Sequence, residues 1–87
     1  MKEYPYLSQA LGNAIEIFRK DKGMTKSALA DFACLERRYL REIECGEKKP
    51  TVNAIYSICE ALNVSPLEFF KKVEEERVRF KRNHEPE

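Results

Sequence analysis

The chain has 87 residues, 16 of them basic and 15 acidic, for a formal net charge of +1. That length is at the small end for an autonomous domain: it allows one hydrophobic core, and no separate ligand-sensing domain is expected. No run approaches the 18 or more apolar residues of a membrane span and no signal peptide is apparent, so a cytoplasmic location is expected.

Residues 1–7 read as a flexible arm, because Pro5 blocks an earlier helix start. Ser8 is expected to cap a first helix, in which Leu11, Ala14, Ile15 and Phe18 recur at i, i+3, i+4 and i+7 as one apolar stripe. Gly23 then closes the helix in a left-handed conformation after a basic last turn. Thr25 caps a short second helix through Ser27, Ala28, Leu29 and Ala30. Ala33, Cys34 and Leu35 follow as a turn whose small members let two helix axes cross closely. In the third helix Leu40 and Ile43 point inward, while Arg37, Arg38 and Arg41 fall outside that face. Gly46 ends it.

Beyond Pro50, Thr51 caps a fourth helix with Val52, Ile55, Ile58, Cys59 and Leu62 at helical spacing. Ser65, Pro66, Leu67 and Glu68 start a fifth. Ser65 takes the amide of Glu68, the Glu68 carboxylate reaches back to Ser65, and proline suits the first helical position. No strand pattern or internal repeat competes. The expected architecture is all-α: five helices forming one domain over residues 8–82, the last helix extended, and a disordered polar tail at residues 83–87.

The stretch from residue 24 to 50, MTKSALADFACLERRYLREIECGEKKP, carries the chemistry. A short helix with an apolar back and an arginine-rich front is what insertion into the DNA major groove needs. The spacing of Leu29-Ala30, Leu35, Leu40, Ile43-Glu44, Gly46 and Pro50 resembles the phage-repressor and Cro-like helix-turn-helix family, also called XRE. The similarity runs over about residues 11–70 and includes RKDKGMT at residues 19–25, which looks like the end of the family's first helix and the cap of its second. Three positions depart from the family pattern: Cys34 at the turn glycine, Glu36 at the Ser/Thr cap of the recognition helix, and Lys26 where a glutamine usually opens the second helix. The resemblance implies a compact bundle of the lambda-repressor-like type and a homodimeric regulator of transcription that reads double-stranded DNA. Small stand-alone regulators of restriction-modification operons look similar. It also implies that Glu44 pairs with Arg19, which takes both out of the base-reading set.

Charge is distributed in keeping with this. Residues 19–49 hold nine basic and six acidic side chains, a local excess over the rest of the chain. Arg37, Arg38, Arg41 and Glu42 are the candidate base contacts, with arginine suited to guanine O6 and N7 and Glu42 either accepting from cytosine or tuning the register. Thr25, Lys26, Tyr39, Lys48 and Lys49 are the candidate phosphate contacts; the Tyr39 phenol can equally brace the helix. A single half-site helix buries too little surface for specificity, so pairing is expected. Phe69, Phe70, Val73 and Phe80 are the candidate dimer interface, with Tyr56 or Leu62 beside them and Val73 outermost. The alternative is that the fifth helix packs back on its own domain.

The three cysteines, at 34, 45 and 59, lack CxxC spacing, and the one histidine is His84, so neither a disulfide framework nor a zinc site is expected. Cys34 and Cys59 read as small buried apolar residues. No nucleophile-histidine arrangement or phosphate-binding loop is present, and neither an enzymatic activity nor a cofactor, metal, membrane or small-molecule partner is expected. The rival reading keeps the same fold for an antitoxin or protein-binding adaptor.

Overall fold

Apolar stripes at helical spacing cannot be left in water, and five of them are buried together. The computed structural model describes residues 1–85. It contains α1 (Leu7–Asp21), α2 (Lys26–Ala33), α3 (Arg37–Glu44), α4 (Val52–Leu62) and α5 (Pro66–His84), with no strand among the described residues. Ala10, Leu11, Ala14 and Ile15 of α1 meet Leu29 and Ala30 of α2, Leu40 and Ile43 of α3, Ile55, Ile58 and Leu62 of α4 and Phe69 of α5 in one core. α2 packs on α4 and α3, and α5 lies along α1, where the Phe18 and Phe69 ring centroids are 6.3 Å apart.

Local signals account for most boundaries. Thr25, Thr51 and Ser65 each accept a hydrogen bond from the amide three residues on, at 3.0, 3.1 and 3.0 Å, satisfying one orphan donor per helix. At Ser65 this half of the expected capping box is the one formed. Gly46, at φ +78°, turns the chain after α3. α1 departs from expectation: it begins at Leu7, its cap is Tyr6 in the left-handed region without a side-chain bond, and Ser8 is already helical. The sterics of Pro5 hold back the start, but the Tyr6 carbonyl accepts the first helical bond, from Ala10, at 2.9 Å.

Two further expectations meet the tertiary packing and change. Val52 is 70% exposed: it is the first residue of α4, and the buried face of that helix begins at Ala54 and Ile55. α5 continues through Asn83 to His84, past the expected domain end at residue 82. There the His84 ring lies 5.9 Å from Phe80 and 5.7 Å from Tyr6, linking the last turn to the N-terminal arm. Pro86 and Glu87, part of the expected tail, lie outside the described residues.

One carboxylate sits where charges rarely do. Glu76 of α5 is buried against α1, accepting from Asn13 and, at 2.6 Å, from Arg79. Arg79 first, then Asn13, holds the Glu76 carboxyl below its ordinary range against the opposing effect of burial.

Candidate nucleic-acid interface

The turn between α2 and α3 orients the third helix. Cys34 takes the left-handed conformation (φ 57°) while its amide and that of Leu35 bond back to the carbonyls of Asp31 (3.2 Å) and Ala30 (2.9 Å). A non-glycine residue there carries a cost of about 1 kcal/mol. Glu36 caps α3 in an extended conformation without a side-chain bond, and its exposed carboxylate lies near the positive end of the helix. Cys34 is exposed, contrary to the expectation of a buried cysteine, because the left-handed turn directs its thiol outward; Cys59 is buried.

Behind α3, Leu40 and Ile43 are fully buried and Glu44 nearly so. Arg19 grips Glu44 with two parallel bonds, Nε to Oε2 at 2.9 Å and Nη2 to Oε1 at 3.1 Å, and its Nη1 donates to the Met24 carbonyl at 2.8 Å. One guanidinium thereby ties the ends of α1 and α3 to the start of the α2 connection. Such a pair fixes geometry more than it adds stability, and breaking it leaves a buried charge unpaired. Beside it, Gly12 of α1 lets the backbones of α1 and α3 approach. A Cβ at Gly12 would lie 2.4 Å from the Ile43 carbonyl oxygen and 2.7 Å from that of Glu44.

In front, Arg37, Arg38 and Arg41 are exposed. Their surroundings are more acidic than spacing alone implied. Arg37 donates to Asp31 of α2 at 3.2 Å; Arg38 and Lys48 both approach Glu42, at 3.8 and 3.7 Å; Lys49 meets Glu3 of the N-terminal arm at 2.9 Å. Lys26 and Arg41 take no part in an ion pair among the described residues. The Arg37–Asp31 and Lys49–Glu3 pairs are exposed on both sides and contribute at most about 1 kcal/mol each, so a phosphate or a base edge can replace those carboxylates. Tyr39 is half-buried, and its hydroxyl oxygen accepts from the Thr51 amide at 3.2 Å, bracing α3 against the cap of α4 while its own proton stays free to donate. Thr25 is committed as acceptor to the Ala28 amide.

The expected dimer residues separate into two groups. Phe69 is fully buried and Val73 is 3% exposed, both in the chain's own core, so neither can meet a partner and Val73 is not outermost. The reason is that the stripe Phe69, Val73 and Glu76 faces α1, where Phe69 meets Phe18 and Glu76 meets Asn13. Phe80 is half-buried, with the Arg79 guanidinium 4.9 Å from its ring centroid. Leu62 is also buried, whereas Phe70, Tyr56 and Leu67 are exposed by 45%, 57% and 86%. Tyr56 lines a groove with Val64 and Pro66, next to Leu67 in sequence.

Sequence reasoning missed Gly12, Asp31, Glu3 and Glu76. Gly12 carried a signal as an isolated glycine within a helical pattern, and Glu76 has Arg79 at i+3 on its own helix; Asn13 reaches Glu76, Asp31 reaches Arg37 and Glu3 reaches Lys49 only through the fold.

Comparison with known proteins places this arrangement. A family model described as helix-turn-helix matches residues 15–69. The HTH-type transcriptional regulator y4dJ of Sinorhizobium fredii is 28% identical over 69 residues, covering 79% of this chain and 90% of y4dJ. The clp gene regulator ClgR of C. glutamicum superposes with a TM-score of 0.77 at 35% identity, covering 83% of this chain and 94% of ClgR. The restriction-modification controller protein C.Esp1396I, solved as a tetramer in complex with its natural 35 base-pair operator, gives a TM-score of 0.78 at 29% identity, covering 86% of this chain and 99% of that one. The chain belongs to the XRE-type helix-turn-helix family of transcription regulators.

Proposed function

We propose that the protein is a sequence-specific regulator that binds double-stranded DNA as a homodimer, with α3 in the major groove. The observation that carries this is the division of α3. Its apolar side and Glu44 are locked into the domain by Arg19, while Arg37, Arg38 and Arg41 face outward from a helix that cannot roll. A rigid helix with exposed arginines meets the geometric demand of base readout. Arg37, Arg38 and Arg41 reach base edges; Lys26, Lys48, Lys49 and the free Tyr39 proton engage phosphates, with the Thr25 hydroxyl proton beside Lys26. The operator complex of C.Esp1396I supports the same partner for this chain.

The second copy docks on the corner of α4 and α5. Tyr56, in the groove it lines with the half-buried Val64 and Pro66, and Leu67 and Phe70, in the first turns of α5, are exposed apolar residues of these two helices. A cytoplasmic location accords with this reading.

A second reading, a protein-binding adaptor or antitoxin, draws on Glu36 and on the carboxylate partners of Arg37, Arg38, Lys48 and Lys49. Selection of bound fragments from a genomic library, followed by binding at several salt concentrations, separates the two. Enrichment of a sequence with two half-sites, bound with a steep salt dependence, supports the regulator. No retention on any duplex at low salt would overturn it and favour the adaptor.

A further inference from the structure

We propose that Glu42 is a positioning residue rather than a base contact: it holds Arg38 and Lys48 in place ahead of DNA and suppresses binding to unselected sequence. The inference rests on the DNA-binding reading above. Glu42 follows Arg38 by one turn of α3, yet its side chain is only 14% exposed, against 79% for Arg38 and 56% for Lys48. Its carboxylate lies 3.8 Å from Arg38 Nε and 3.7 Å from Lys48 Nζ. Its carbonyl oxygen accepts from the amides of Glu47 (2.9 Å) and Lys48 (3.3 Å), so main chain and side chain together hold the loop after α3 against Glu42. All three side chains line one cleft of about 640 Å³, with Glu36 and Tyr39.

A carboxylate that accepted from a cytosine amine would stand at the exposed tip of the helix. This one is withdrawn between two cations. Long cationic side chains lose conformational freedom when DNA immobilises them, and a carboxylate that orders them beforehand lowers that cost. The same negative charge opposes binding that depends on phosphates alone, because it offsets one of the cations that displace counterions. A selected site compensates through the base contact of Arg38, and random sequence does not. Glu42 therefore raises the ratio between the two affinities.

The test measures fluorescence anisotropy of the selected site and a random duplex of equal length, over a range of salt, for wild type, Glu42→Gln, Arg38→Ala and the double variant. Thermal melts run alongside to verify folding. Glu42→Gln should melt like wild type, bind the random duplex several-fold tighter at low salt and steepen its salt slope by about one. It should also lose discrimination, and that loss should vanish in the Arg38→Ala background. A changed preference at one base position with an unaltered salt slope would show a direct base contact and overturn the proposal. So would unchanged slope, random affinity and discrimination, which would leave a solvated ion pair. A wild-type chain without salt-dependent binding to any duplex refutes the DNA-binding reading itself, and that is seen before any substitution is compared.

Discussion

Gly12→Ala should destabilise the domain, the opposite of what helix propensity dictates. Gly12 is in the interior of α1, where alanine is favoured over glycine by about 1 kcal/mol. Its added methyl, however, would lie 2.4 Å and 2.7 Å from the carbonyl oxygens of Ile43 and Glu44, where ordinary contact begins at 3.4 Å. Both obstacles are backbone atoms of the last turn of α3, which cannot swing aside as a side chain would. The two helices must therefore part by roughly 1 Å at this point, and overpacking of that kind costs about 1–3 kcal/mol. With rigid obstacles the upper part of that range applies, leaving a net loss of about 1–2 kcal/mol after the propensity gain. For a domain of this size the melting temperature should fall by roughly 4–16 °C, measured by circular dichroism and cross-checked by urea denaturation. The same displacement moves Glu44 relative to Arg19, so the variant should also bind DNA less tightly. A Gly12→Ala protein that melts at or above the wild-type temperature would refute the reasoning and show that the α1–α3 contact is soft.

Arg19→Met leaves the Glu44 carboxylate buried without its partner and should cost about 3–5 kcal/mol in urea melts, with much of the loss recovered in Arg19→Met, Glu44→Leu. Alkylation of the native protein at pH 8, read by peptide mass spectrometry, should modify the exposed Cys34 and Cys45 and spare Cys59, whose thiol burial pushes up to about 11. Because the folded Glu76 carboxyl lies below its unfolded value, its contribution is complete above the ordinary carboxylate range and is lost as pH falls through the folded value. Melting temperature should drop over that acid range in wild type and change less there in Glu76→Gln. Leu67→Glu should remain helical and become monomeric by light scattering, whereas Val73→Glu should unfold the chain; a folded, dimeric Leu67→Glu would move the interface elsewhere.

Much of what depends on neighbours three or four residues apart was legible in the sequence, although the cap of α1, Tyr6 in place of Ser8, and the Glu76–Arg79 pair were not. The caps at Thr25, Thr51 and Ser65, the inward Leu40 and Ile43, the outward arginines of α3 and the turn at Gly46 are short-range consequences of helical geometry. The Arg19–Glu44 pair, 25 residues apart, was legible through the family pattern. Periodicity fixes angles around a helix axis, but it cannot say which neighbour covers a stripe. For that reason Phe69 and Val73 looked available to a partner until α1 was seen to occupy them, and Val52 looked buried until α4 was placed. The counter-ions of the interface depend in the same way on the tertiary arrangement: Asp31 reaches Arg37 across the turn, and Glu3 reaches Lys49 over 46 residues. Gly12 is the extreme case, since its role is defined by two carbonyl oxygens on another helix and by no side chain at all.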